Sequence, residues 1–123
     1  MARILLIDDD DTVRLSMRLA LEDADYIIDE AANGAAGLER MREQPADLVI
    51  TDIFMPEKEG LETIDELKRD FPRAKIIAIS GGGRMDPQDY LEVARNLGAD
   101  RSLFKPFDIR LLVTTVEEAL KGG

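Results

Sequence analysis

The chain has 123 residues, a length typical of one domain, and its 26 acidic and 16 basic side chains give a formal net charge of −10. It contains no cysteine and no histidine, which excludes disulfides, Cys/His zinc sites and catalysis by a Cys–His or Ser–His pair. The acidic balance argues against direct binding to nucleic acid or to an anionic membrane, and because no apolar run approaches the ~20 residues of a transmembrane helix, we expect a cytoplasmic protein.

The first predicted element is a strand at Ile4–Ile7, followed directly by the acidic run Asp8–Asp11 and by a helix that opens at Thr12. The last two acids are typical of a helix N-terminus, where carboxylates accept hydrogen bonds from free backbone N–H groups. Asp8 and Asp9 lie closer to the strand, where this explanation does not apply. Two carboxylates at the carboxyl end of a strand repel each other, so they indicate a site that also contains a cation.

A second short strand, Tyr26–Ile28, and a weaker helix that ends at Pro45 precede the central apolar stretch of the chain. This stretch, residues 47–56, has the pattern of a strand buried on both faces, carries Asp52 and closes at Pro56. In open α/β sheets, ligands bind at the carboxyl ends of the strands. We therefore expect Asp52 to be the chemical centre.

The second half of the chain continues the alternation of helices and strands. It contains a helix at about Glu57–Arg69, a strand at Lys75–Ser80, a helix at about Pro87–Leu97, a strand at Arg101–Phe104 and a final helix at Asp108–Leu120. Five strands that alternate with five helices through short connections predict a parallel sheet with helices on both faces. We therefore predict a doubly wound, flavodoxin-like α/β fold with strand order 2-1-3-4-5.

This strand order brings polar residues from separate parts of the chain to one edge of the sheet. They are Asp8, Asp9, Asp52, Ser80 and Lys105. The three carboxylates contribute −3 and the ammonium +1, so a charge of −2 remains, which one divalent cation would balance. Because oxygen atoms are the available ligands, the pattern predicts a weak, open Mg²⁺ site.

The same residues, in this order, resemble the receiver domain of two-component response regulators, and the resemblance covers residues 1–123 as a single domain. It rests on four motifs: Asp8-Asp9 after the first strand, Asp52 with Met55-Pro56 and Gly60, Ser80 before Gly81, and Lys105-Pro106-Phe107. Each motif is weak alone, and their combination on alternating strands and helices makes the resemblance specific. The resemblance implies a phosphoryl-accepting signalling switch of the single-domain chemotaxis type rather than an enzyme.

The resemblance also implies roles for the site residues. Asp52 would accept a phosphoryl group from the phosphohistidine of a sensor histidine kinase or a histidine phosphotransfer protein, and Lys105 and Ser80 would contact the phosphoryl oxygens. The Lys105–Pro106 peptide bond would be cis. The domain is expected to be a monomer or a phosphorylation-dependent dimer, and its downstream target is not indicated by the sequence.

The metal ligands follow from the same resemblance. Asp9 and Asp52 would bind Mg²⁺ directly, Asp8 would bind it through water, and the backbone carbonyl of Phe54 would supply a further ligand.

Two further positions follow from the family pattern. Arg14 and Arg18 are expected on the exposed face of the first helix, where by family analogy they are candidate kinase-docking positions, although charged helix faces are more often simply solvated. Ser102 occupies the strand position at which the family commonly has a switching aromatic residue. The usual coupling between a hydroxyl and an aromatic side chain is therefore not expected at that position.

Other functions remain open at this point. The chain could be a receiver fragment of a longer response regulator or of a hybrid kinase. It could also be an Mg²⁺-dependent phosphohydrolase that forms an aspartyl phosphate, although Phe54 stands where such enzymes have a second acid. A third possibility is a degenerate interaction domain that is not phosphorylated, against which the complete set of polar residues argues.

Overall fold

The computed structural model describes residues 2–53, 60–80 and 87–122, without the side chains of residues 87, 88, 90 and 91. Across these residues five strands alternate with five helices. They are β1 (Arg3–Ile7), α1 (Asp11–Asp23), β2 (Ile27–Ala31), α2 (Gly34–Glu43), β3 (Leu48–Asp52), α3 (Gly60–Asp70), β4 (Lys75–Ser80), α4 (Pro87–Leu97), β5 (Arg101–Phe104) and α5 (Ile109–Leu120).

The strands form one parallel sheet in the order β2-β1-β3-β4-β5, which confirms the predicted topology. The register aligns the carboxyl ends of neighbouring strands: Ile7 pairs with Thr51, and Ser80 pairs with Phe104. Residues that follow β1 and β5 therefore lie at the same edge as the last residues of β3 and β4. This edge is where the sequence predicts the functional site.

The core has two layers because successive residues of a strand point to opposite faces of the sheet. One layer lies under α1 and α5, and the other lies under α2, α3 and α4. Every residue of β3 is buried, with Leu48 and Ile50 in the first layer and Val49 in the second. The central stretch is thus a strand covered on both faces, as its apolar run predicts.

Strand β2 differs from the prediction. It extends from Ile27 to Ala31, whereas the apolar pattern places it at Tyr26–Ile28. The extension contains Asp29 and Glu30, which a strand tolerates here because β2 is at the edge of the sheet and arginines from the helices pair with both acids. The predicted beginning of α3 at Glu57 lies outside the described residues.

Among residues 2–53, 60–80 and 87–122, every helix is too short or too polar to serve as a membrane span.

Candidate functional site

Four strand ends contribute the polar residues of the site. Asp8 follows β1, Asp52 and Ser80 are the last residues of β3 and β4, and Lys105 follows β5. Asp8, Asp52 and Ser80 are buried, although each carries a polar side chain. The structure therefore brings together the described residues that the sequence predicts for the site.

The carboxylates of Asp8, Asp9 and Asp52 form a compact cluster. One oxygen atom from each lies within 4.8 Å of the others. The side chain of Asp8 is fully buried and that of Asp9 is exposed, so the cluster opens to solvent on the side of Asp9. Within the described residues, the Asp9 carboxylate has no hydrogen-bond or ion-pair partner.

Lys105 connects two of these carboxylates. Its Nζ atom lies 2.7 Å from Oδ2 of Asp52 and 3.0 Å from Oδ2 of Asp8. Its backbone N–H donates a hydrogen bond of 2.7 Å to the carbonyl of Ser80, which ties the start of the next turn to the end of β4. The Lys105–Pro106 peptide bond is cis, as the resemblance implies.

Burial and the neighbouring charges have opposite effects on the pKa of Asp8 and on that of Lys105. Burial raises the pKa of Asp8, although a hydrogen bond from the Asp10 N–H and the contact with Lys105 oppose the increase. Burial alone would lower the pKa of Lys105, but its contacts with Asp52 and Asp8 outweigh that effect and leave the pKa raised above the ordinary value of a lysine. Lys105 is therefore an ammonium at neutral pH.

The donor set fits a hard divalent cation. Three carboxylates and one ammonium leave a net charge of −2 in the cluster, and the converging donors are oxygen atoms. Oxygen ligands and one or two carboxylates with water are typical of Mg²⁺ sites. The backbone carbonyl of Phe54, the remaining expected ligand, lies outside the described residues.

Ser80 has an unusual environment for a hydroxyl. Its Oγ atom is buried and has no hydrogen-bond partner in the part of the chain that the structure describes. A buried hydroxyl without a partner costs about 1–3 kcal/mol, which an acceptor atom on a bound group can recover. The Ser80 hydroxyl is thus available to a ligand at this edge of the sheet.

Gly60, the first residue of α3, packs directly against the end of β3. A Cβ atom at this position would clash with the carbonyl oxygen of Asp52 and with Cα of Ile53. Both atoms belong to the backbone and cannot move aside without displacing Asp52. Glycine therefore permits the close approach of α3 that holds the Asp52 main chain in place.

We expect Gly60→Ala to destabilise the protein by roughly 2–3 kcal/mol, because a methyl group would be forced against backbone atoms in a packed region. Chemical denaturation checks this value. Gly37→Ala is a suitable comparison, since the atoms nearest to a Cβ there belong to the side chain of Ile7 and not to the backbone. An equal or smaller loss of stability for Gly60→Ala than for Gly37→Ala would contradict the proposed backbone conflict.

The sequence did not identify Arg14 as part of this region. Its side chain is only 16% exposed, and Nη1 donates a hydrogen bond of 2.6 Å to the backbone carbonyl of Asp8. Arg18, at 43% exposure, contacts Glu22 and Glu30 but not the site. The one sequence signal for this arrangement is the pair of acids in β2, which require cations from the adjacent helices.

Ser102 lies on β5 opposite Ala78, and Phe104 lies opposite Ser80. The aromatic residue nearest to Ser80 along this strand pair is therefore Phe104, at the end of β5, and it is 43% exposed.

Comparisons with protein families and with individual proteins both relate this chain to response regulator receivers. Residues 4–117 match the family model of the response regulator receiver domain. The chain is 39% identical to the sensor kinase CckA of Brucella abortus, over 98% of this chain but only 13% of that protein. It is 38% identical to the response regulator receiver protein CpdR of Brucella abortus, over 98% of each chain.

Among solved structures, the CheY-like receiver domain protein of Methanospirillum hungatei superimposes with a TM-score of 0.91 and 29% identity, over 99% of this chain and 95% of that one.

Proposed function

The chain belongs to the response regulator receiver domain family, whose members are phosphoryl-accepting signalling switches, and on this premise we propose that Asp52 is the phosphoryl acceptor. The observation that carries the proposal is the ammonium of Lys105, which lies 2.7 Å from one carboxylate oxygen of Asp52 at the edge of the sheet. This contact fixes the carboxylate and places a positive charge where phosphoryl oxygens would gather.

The reaction is a transfer between two nucleophiles. A carboxylate oxygen of Asp52 attacks the phosphorus atom of a phosphohistidine, a new P–O bond forms, and the P–N bond to the donor imidazole breaks. The electron pair of that bond remains on the nitrogen that carried the phosphoryl group. When the other ring nitrogen carries a proton, the leaving group is therefore neutral imidazole. The acceptor ends as an aspartyl phosphate.

Lys105 and Ser80 supply the remaining contacts in this proposal. The ammonium of Lys105 is within reach of the transferred group because it already contacts Asp52, and it offsets the negative charge on the phosphoryl oxygens. The Ser80 hydroxyl, buried without a partner among the described residues, donates a hydrogen bond to the phosphoryl group. That new hydrogen bond links the state of Asp52 to the end of β4 and favours one conformation of the domain.

Mg²⁺ fits the same proposal. Asp8, Asp9 and Asp52 would hold the ion, with the carbonyl of Phe54 as the ligand that the family resemblance adds. When bound, Mg²⁺ supplies positive charge to the phosphoryl oxygens and balances the carboxylates.

We expect Asp9→Asn to weaken Mg²⁺ binding at least tenfold and to leave the stability of the Mg²⁺-free protein nearly unchanged, because Asp9 is an exposed member of the cluster. Calorimetric titration with MgCl₂ and thermal unfolding measure the two quantities. Asp10→Asn removes the same charge one residue away and keeps the helix cap, since Asn is as good a cap as Asp. Similar dissociation constants for Mg²⁺ in the two variants would show that Asp9 is not a metal ligand.

The phosphoryl donor in this proposal is a sensor histidine kinase or a histidine phosphotransfer protein in the cytoplasm. The domain, residues 1–123, acts as a single receiver unit, as a monomer or a phosphorylation-dependent dimer, without direct contact to nucleic acid. It changes its own state and does not turn over a substrate. The comparisons give no support to the phosphohydrolase alternative, since the chain matches the response regulator receiver domain model and the response regulator receiver protein CpdR.

The test uses acetyl phosphate as a small donor, with and without Mg²⁺. Intact-mass measurement is expected to show one added phosphoryl group in the presence of Mg²⁺, and peptide mapping to place it on Asp52. Chelation of the metal is expected to suppress the addition. A phosphoryl group on another residue, or rapid turnover of a phosphate ester, would contradict the proposed function.

A further inference from the structure

Three segments hold the guanidinium of Arg14. Its Nε atom donates to Oε1 of Glu30 in β2 at 3.0 Å, Nη2 donates to Oδ1 of Asp11 at 2.7 Å, and Nη1 donates to the backbone carbonyl of Asp8 at 2.6 Å. A planar guanidinium that donates in three directions has a fixed orientation. Arg14 is therefore part of the structure around Asp8 and is not a solvated helix residue.

Asp8 is fixed on every side by other groups. Its N–H donates to the carbonyl of Ala31 at 3.2 Å, its Oδ1 accepts from the N–H of Asp10 at 2.9 Å, and its Oδ2 accepts from Lys105. Arg14 accounts for the one remaining polar atom, the backbone carbonyl. That carbonyl belongs to the Asp8–Asp9 peptide group, so the arginine sets the orientation of this peptide plane.

The orientation of that plane matters for Asp9. Asp9 is exposed, and within the described residues no contact of its own holds its carboxylate. Its position near Asp8 and Asp52 therefore depends on the backbone that carries it. If the Asp8–Asp9 peptide rotated, the carboxylate of Asp9 would leave the cluster while those of Asp8 and Asp52 would stay.

We propose that Arg14 is a positioning residue of the acidic cluster, which holds the Asp8–Asp9 peptide so that Asp9 faces a divalent cation. The inference rests on the proposed function, since it concerns the metal of that site. Glu30 completes the arrangement. It accepts hydrogen bonds from both Arg14 and Arg18, and the bond from Arg14 holds that guanidinium from the side of β2. Replacement of groups that orient metal ligands commonly lowers metal affinity by about 10–100-fold.

The test compares Arg14→Met with Arg18→Met in the full chain. Both variants remove an arginine from α1 that pairs with Glu30, but Arg18 has no contact with Asp8. We expect Arg14→Met to raise the dissociation constant for Mg²⁺ alone about tenfold or more, and Arg18→Met to change it less than about twofold. Calorimetry at a temperature well below the unfolding midpoint of each variant measures these constants.

A second variant covers the case in which Arg14→Met does not fold. Glu30→Gln keeps the shape of the side chain and removes the charge that fixes Arg14, so a smaller increase in the same constant is expected. In either variant, the backbone amide resonance of Asp9 is expected to shift or broaden in the Mg²⁺-free protein, which a general loss of stability would not produce at that residue alone.

Equal Mg²⁺ affinities for Arg14→Met and Arg18→Met, in a protein whose wild type binds Mg²⁺ and is phosphorylated on Asp52, would overturn the role of Arg14 and leave the proposed function intact. Failure of the wild type to bind Mg²⁺ would overturn both.

Discussion

Asp52→Asn is expected to abolish phosphorylation by acetyl phosphate in the presence of Mg²⁺. The amide has the same shape as the carboxylate, but it lacks the negative oxygen that attacks phosphorus. The fold is expected to persist, because the Asn carbonyl can still accept a hydrogen bond from Lys105. The Mg²⁺-free variant is expected to be at least as stable as the wild type, since one of three clustered negative charges is lost.

Intact-mass measurement after incubation with the donor checks the first expectation, and thermal unfolding checks the second. Asp47→Asn is the matched control, because Asp47 immediately precedes β3 at the end opposite Asp52. Its Oδ2 accepts a hydrogen bond from the N–H of Arg3, which the carbonyl of Asn can also accept. If Asp52→Asn acquired a phosphoryl group at the wild-type rate, another residue would be the acceptor.

The sheet and the main site residues could be predicted because their signals are local. A strand that is buried on both faces must be apolar along its length, so Asp8, which follows β1, and Asp52, which ends β3, stand out in the sequence. The alternation of strands and helices then restricts the topology, and the topology brings Asp8, Asp52, Ser80 and Lys105 to one edge. For these four residues, sequence order was sufficient to predict proximity.

The contacts that support the site could not be predicted in this way. The full length of β2 was missed because Asp29 and Glu30 do not have the pattern of a strand, and they are accommodated only through arginines of α1 and α2 that are distant in sequence. Gly60 appeared as a motif residue, but its contact with the Asp52 carbonyl depends on the packing of α3.

The location of Arg14 could not be read from periodicity either. The prediction that it lies on the exposed face of the first helix is wrong, because its side chain is only 16% exposed. Its burial against the Asp8 carbonyl depends on how α1 is placed over β1 and β2. Long side chains can bury their stems and reach polar groups that helical periodicity does not reveal. The same limit applies to any arginine at the margin of an apolar helix face.

Lys105→Met is expected to slow phosphorylation by acetyl phosphate about 10²–10³-fold, the usual effect of removing one fixed charge that stabilises the transferred group. It is also expected to destabilise the Mg²⁺-free protein, because Asp8 and Asp52 would lose the cation that they share. Removing one partner of a buried ion pair costs about 3–5 kcal/mol. The lysine side chain is 21% exposed, so a smaller loss is expected here.

Mg²⁺ separates the two effects. A divalent ion in the cluster replaces the missing charge next to Asp8 and Asp52, so the stabilisation by Mg²⁺ is expected to be larger in Lys105→Met than in the wild type. The ion would not replace the ammonium that, in the proposed function, contacts the phosphoryl group, so phosphorylation is expected to remain slow at saturating Mg²⁺. Lys75→Met, at the opposite edge of the sheet in β4, controls for the loss of a positive charge. Wild-type phosphorylation rates in Lys105→Met would show that its ammonium stabilises the resting carboxylates and takes no part in the transfer.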